Sequence, residues 1–333
     1  MVYQQKMKTL TRFMPIMLFV LFCHTEIVYG AQTIKIRLIE HEDIPLPFLR
    51  AGQSLGKVDG ITVLNGKPFY GRLIIIDGED GPVAINELML EKYVQGVVAS
   101  EMGEDWPLEA LKAQAVLSRT YAFQKKIVNK NKPYHLTAST FHQVYAINSP
   151  GPVIESAVKE TEGRILTFKG NPIVAFYHST TGGKTELPEE VWQTKFPYYA
   201  TSRACEDTIS PYFTWYREFY LKDIGSALGL PDIKGITLHS YTATGRVKAV
   251  KVLTNGKSYV VLAKHLREKL GFKELPSTNF TIEQQEEQMI FQGQGYGHGV
   301  GLSQYGARQM AIDGKTHKEI LSYIYPDTTL EKR

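Results

Sequence analysis

The stretch that decides the reading is Leu90 to Ala122, LEKYVQGVVASEMGEDWPLEALKAQAVLSRTYA. Leu90, Val94, Val97 and Val98 recur at the spacing of one helix face, and the pattern reads as helical over 85–126. Glu101 continues that stripe, one turn after Val97 and Val98. Gly103 ends the first helix. Trp106-Pro107 opens the second, with Pro in its favoured first turn and Asp105 as the expected cap. Leu108, Leu111, Ala115 and Ala122 carry that helix onward. A glutamate on an apolar stripe at a helix end is not placed like an ordinary solvated charge. Partial burial disfavours its anion and raises its pKa, the condition for donating a proton near neutrality.

β structure flanks the helix pair. Ile34, Ile36 and Leu38 alternate with Lys35 and Arg37. Ile61–Val63 and Leu73–Ile76 read as a hairpin around Asn65-Gly66, with Pro68 blurring its second strand. Two more hairpins are expected. One joins Ile165–Phe168 to Ile173–Tyr177 through Gly170-Asn171; the other joins Val247–Leu253 to Tyr259–Leu262 through Asn255-Gly256. A short helix near 264–270 ends at Gly271, a glycine-rich strand covers 291–301, and helices near 303–313 and 317–324 close the chain. Helix pairs between β segments, without strict βαβ alternation, give an α+β mixed fold. The expected organisation is 1–30 as a signal peptide or anchor, 31–84 as a small β-rich region, and 85–325 as one larger domain that carries the helix pair.

The chain has 333 residues, 43% hydrophobic and 22% charged, an ordinary globular balance. A net charge of +4 is too weak to mark nucleic acid as the partner. Lys6, Lys8 and Arg12 precede the apolar run Phe13–Cys23, and Val28-Tyr29-Gly30 offers a cleavage site. That run is short for a membrane span, which needs ~20 residues. Export is therefore expected, to the periplasm or the wall side of the cytoplasmic membrane, with membrane contact only through this segment. Cys23 and Cys205 make no disulfide framework.

Three further segments invite chemistry. Lys112, Arg119 and Glu109 share a helix face with Tyr121 nearby, as donors for a polar ligand or as a solvated face. His178-Ser179-Thr180-Thr181-Gly182-Gly183-Lys184-Thr185 follows a strand as a tight loop with exposed backbone donors. Gly293, Gly295, Gly297, Gly299 and Gly301 alternate, which strips one face of a strand, so a sugar, a helix or another backbone approaches there. No dinucleotide register fits these glycines. Gly301-Leu302-Ser303-Gln304-Tyr305-Gly306 misses a nucleophile elbow because Tyr305 stands where glycine belongs, so a Ser303–His298 pair has little support. The nine histidines form no metal motif, and no metal is expected.

Three stretches together resemble the stage II sporulation protein D family (SpoIID/LytB). They are Tyr93–Met102 with Trp106–Val116 and Ser118–Ala122; Tyr177–Thr185 with Val191-Trp192; and Gly295–Ala307. The resemblance implies a lytic transglycosylase that cuts the MurNAc–GlcNAc bond of peptidoglycan strands stripped of their stem peptides. Glu101 would protonate the glycosidic oxygen and then, as base, drive the muramic C6 hydroxyl onto C1. The product would be 1,6-anhydro-MurNAc. Lys112, Arg119, Tyr121, His178, Ser179, Gly182, Gly183, Lys184, His298, Ser303 and Gln304 fall at implied glycan-site positions. An N-acetylmuramoyl-L-alanine amidase is the implied partner. No cofactor is implied beyond the zinc that some members resemble binders of, and here the second stretch carries Thr180, with Cys205 as the nearest cysteine. The competing expectation is a non-catalytic peptidoglycan-binding module that enhances a partner amidase.

Overall fold

Ile34 and Ile36 leave one face of the strand Thr33–Arg37 and are fully buried, as their alternation requires. A computed structural model describes residues 32–38, 51–64, 67–79, 81–138, 142–145 and 150–333. The export segment 1–30 and the Asn65-Gly66 turn lie outside the described residues. Among the described residues, no helix is long and apolar enough to cross a membrane. Thr33–Arg37 pairs antiparallel with Gly81–Met89, which pairs in turn with Arg72–Gly78. Ser54–Leu55 and Leu136–Thr137 complete this five-stranded sheet at its two edges.

Gly81–Met89 corrects the expected helical start at 85. It is the central strand, and Ala84 through Leu88 are buried on both faces. Such a strand shows an unbroken buried run instead of alternation, which spacing alone does not separate from a helix. Leu73–Ile76 likewise pairs with this strand; Ile61–Leu64 forms its own hairpin with Lys67–Tyr70.

Helix α1 spans Leu90–Glu101 and α2 spans Leu108–Val128. Residues 110–122 of α2 are all buried, so the first core encloses α2 from every side. Asp105 does not cap α2: Pro107 is the N-cap residue, with no side-chain hydrogen bond, and Asp105 instead faces Arg308 at 3.5 Å. Helix α3 (Pro152–Glu160) and the strand Arg164–Phe168 pack against α2. Lys169 and Gly170 both have positive φ and turn that strand into Asn171–Pro172. The chain then leaves the sheet, and Tyr177–His178 pairs in parallel with Leu302–Ser303, not within the hairpin expected for 173–177.

A short α4 (Pro188–Trp192) leads to a second hydrophobic core. It is built by the sheet Thr214–Tyr220, Gln288–Gln294 and Phe280–Gln285, by the sheet Ile233–Tyr241, Val247–Thr254 and Lys257–Leu262, and by α5 (Leu221–Leu228) and α6 (Ala263–Leu270). The expected hairpin at Asn255-Gly256 and the helix ending at Gly271 are both present. Helices α7 (Gln304–Ile312) and α8 (His317–Ile324) return the chain to the first core. The whole is α+β.

The glycine-rich strand is corrected as well. The strand ends at Gln294, and Gly295, Gly297, Gly299 and Gly301 have φ of 80°, 116°, 81° and 75°, a loop conformation open to glycine. The expected close approach is real: backbone approaches Gly295 and Gly301, and the His178 and Arg246 side chains approach Gly297 and Gly299. A Cβ on Gly295 would lie 2.7 Å from the Thr181 carbonyl oxygen, and one on Gly301 would overlap that of Phe176. Gly301→Ala is therefore expected to destabilise the fold by about 2 kcal/mol or more, read by denaturant midpoint.

Candidate active site

Glu101 ends α1 at a place where three other segments converge. Its Oε1 accepts from the Val144 amide at 3.2 Å and the Tyr177 hydroxyl at 3.3 Å; its Oε2 accepts from Gln304 Nε2 at 3.1 Å. Tyr177 is held in turn by Gln143, whose amide nitrogen donates to its hydroxyl at 3.3 Å. Gln143 is fixed by the Tyr93 hydroxyl at 3.0 Å and by the Ser118 carbonyl at 3.4 Å. Burial raises the Glu101 pKa above the ordinary carboxyl value and prevails over the three donors, which lower it. The arrangement is that of an oriented carboxylic acid which can both give and take a proton.

Glu101 lines a cleft of about 740 Å³, within the size range of ligand clefts. The first core contributes Tyr121, Gln143, Tyr177, His178, Ser179 and Gln304. The second core contributes Lys248, Lys264 and Arg267. His298 and Trp192 lie between them, their ring centroids 5.0 Å apart.

Two imidazoles in the cleft are held neutral. His178 Nδ1 donates to the Val300 carbonyl at 3.1 Å, leaving a buried Nε2 lone pair with no partner. His298 Nδ1 accepts from the Val300 amide at 3.0 Å, so its proton sits on Nε2. Burial, then the charges of Arg267 and Arg246, hold His298 down to about 3. Burial, His298 and Arg246 likewise depress His178. The unfolded chain thus takes up a proton near pH 6.5 that folded His298 refuses until about pH 3. Stability is intact above pH 6.5 and falls with pH through that window. The loss from His298 is on the order of 4 kcal/mol. Melting temperatures from pH 7 to pH 4 should fall steeply, and less so in His298→Gln.

Not every expected residue reaches this cleft. Lys112 is paired at 2.7 Å with both Glu109 and Glu160. Arg119, 1% exposed, forms a two-point pair with Glu91 at 2.8 and 2.6 Å. Gly182 packs against the backbone of Gln294 and Gly295. Lys184 bridges to Ala204. Gly183 and Ser303 line a separate hollow of about 430 Å³ together with Cys205. Ser303 caps α7 and donates to Asp207 at 2.8 Å, so it makes no pair with His298. Gln143 and Val144 belong to the site, yet no motif or spacing marks them; Tyr93, which opens the first resembling stretch, belongs to it through Gln143.

The residues around Cys205 do not compose a zinc set. Burial pushes its thiol up to about 12, with the Asp207 charge adding to the effect. A thiol so held is a poor source of thiolate. Thr181, beside Cys205 and Asp207, supplies only a hydroxyl. Among the described residues, no three His, Cys, Asp or Glu side chains converge.

The family model described as stage II sporulation protein matches residues 79–168, the helix pair and its flanks. The stage II sporulation protein D of Bacillus subtilis is 31% identical over 272 residues, covering 75% of this chain and 76% of that protein. The chain belongs to the stage II sporulation protein D family. An uncharacterized protein of Brachyspira hyodysenteriae is 35% identical over 276 residues, 80% of this chain and 73% of its own length. A Bacillus subtilis protein named amidase enhancer is 29% identical over 290 residues, 71% of this chain but 40% of that protein. A second model, a domain of unknown function, matches residues 202–301, which hold the second core.

Proposed function

We propose that this member of the stage II sporulation protein D family acts on the bacterial cell wall as a lytic transglycosylase of peptide-free glycan strands. Glu101 carries the reading: it is a carboxyl group whose pKa burial raises, oriented from three segments at a cleft of ligand size. It would protonate the oxygen between MurNAc and GlcNAc, so that the C1–O bond breaks and GlcNAc leaves as the alcohol. The resulting carboxylate would take the proton of the muramic C6 hydroxyl while O6 bonds to C1. The proton ledger closes on one residue, and no water is consumed. Ordinary glycosidases need a second carboxylate at a set distance. Among the described residues, those that hydrogen-bond Glu101 offer an amide, a phenol and a backbone N–H, none of them a carboxylate.

The acid form is the one that starts the reaction. Activity should fall as pH rises through the raised Glu101 pKa, which places the alkaline limb above pH 4.5. Tyr177→Phe removes a donor that favours the anion, so that limb should move to higher pH. A kcat/KM profile of the two proteins checks both, and a shift to lower pH would contradict the assignment.

The amidase enhancer relative supports a second reading, a glycan-binding module that helps a partner amidase. The same relative supports an amidase partnership under either reading. Retention on peptide-free strands with no cleavage would favour the module; cleavage by the purified protein alone would favour the enzyme.

A further inference from the structure

Arg267 stands on α6 and reaches the cleft from the part of the chain matched by the domain of unknown function. It is 9% exposed. Its Nε donates to the Leu275 carbonyl at 2.8 Å, and the Phe272 ring lies 4.7 Å from its guanidinium carbon. Among the described residues its two terminal nitrogens have no acceptor, and it joins no ion pair. Lys264 is one turn earlier on the same helix face and also lines the cleft. Among the described residues its ammonium donates to the Val191 carbonyl alone, at 3.0 Å.

A guanidinium this buried without a carboxylate is costly, because one carbonyl and one ring return only part of its lost hydration. The acids nearby do not fill the role. Glu190 is taken by Lys248 at 2.8 Å, and Glu186 by the hydroxyls of Thr242 and Thr244 at 2.7 Å each. Glu189 and Glu268 also line the cleft, but neither is in ion-pair contact with Arg267 or Lys264. Arg267 thus offers the free side of a planar donor fork, the shape that takes a carboxylate at two points. Trp192 and His298 supply ring faces along the same cleft.

We propose that Arg267 and Lys264 form a carboxylate subsite that takes the lactyl carboxylate of a muramyl residue. This rests on the glycan reading above. When a stem peptide is attached, that carboxylate is tied up as a neutral amide, and the buried guanidinium stays unpaired. The subsite therefore selects strands already stripped of peptide, and it gives the 202–301 segment a role in choosing substrate. Removal of the stem peptide, an amide hydrolysis, must come first.

The test is calorimetric binding of the full chain carrying Glu101→Gln, so that nothing is turned over. The probes are a MurNAc-containing tetrasaccharide with free lactyl carboxylates and the same molecule with each carboxylate converted to its methylamide. The free acid should bind at least about tenfold more tightly. Adding Arg267→Gln or Lys264→Ala should bring the two affinities together, chiefly by weakening the acid. Equal affinities for acid and amide would overturn the proposal while leaving the glycan reading in place. Binding of neither probe would overturn both. If Arg267→Gln fails to fold, because Nε also holds Leu275, the acid–amide comparison and Lys264→Ala decide the matter alone. Full discrimination kept by a folded Arg267→Gln protein would also overturn it.

Discussion

Glu101→Gln should abolish release of anhydro-muramyl product, lowering kcat by about a hundred- to ten-thousand-fold while the protein still folds. The amide keeps the shape of the side chain, and its oxygen can still accept from Val144 and Tyr177. Burial already disfavours the native anion, so a neutral amide is tolerated at the same place. What disappears is the transferable proton. Binding of peptide-free strands should persist, which separates a lost acid from a lost site. Assay of product release beside strand binding and melting temperature checks all three. Undiminished turnover would remove Glu101 from the chemistry.

The second large effect concerns stability and lies away from the cleft. Arg119→Met should destabilise the fold by about 3–5 kcal/mol, a drop of roughly 10 °C in Tm. Arg119 joins α2 to Glu91 of α1, and it donates to the carbonyls of Arg164 at 3.1 Å and Val158 at 3.3 Å. Met fills the space but leaves the Glu91 carboxylate and those carbonyls without their donor. Glycan affinity of the folded protein should not change, since Arg119 does not line the cleft. Unaltered stability with weakened strand binding would restore the reading of Arg119 as a substrate contact.

Arg119 shows where sequence stops short. A basic residue on a helix face reads as a donor for ligand, because spacing places it on that face but says nothing about what covers the face. Here the first core covers all of 110–122, and Arg119 and Lys112 become internal braces. Local pattern was legible where one face meets one core: Ile34 and Ile36, the stripe of α1, the Asn255-Gly256 hairpin and the helices 304–312 and 317–324 all stand as expected. It failed where both faces are buried, at Ile85–Met89, and where alternate glycines bend a loop and not a strand. Of the site, Glu101, Tyr121, His178, Ser179, His298 and Gln304 were legible through motifs, and the structure brings them to one cleft. Gln143 was not, because its role is to hold Tyr177 while Tyr93 holds it, contacts made across 34 and 50 residues of chain that no periodicity encodes.

The central claim is that one buried carboxyl group cleaves the strand by closing O6 onto C1. The direct measurement is mass analysis of the products when the purified full chain acts on peptide-free glycan strands with no amidase present. The account predicts 1,6-anhydro-muramyl ends, one water lighter than hydrolysed ends, and none of them from Glu101→Gln. Reducing muramyl ends, or intact strands that the protein nevertheless binds, would contradict it.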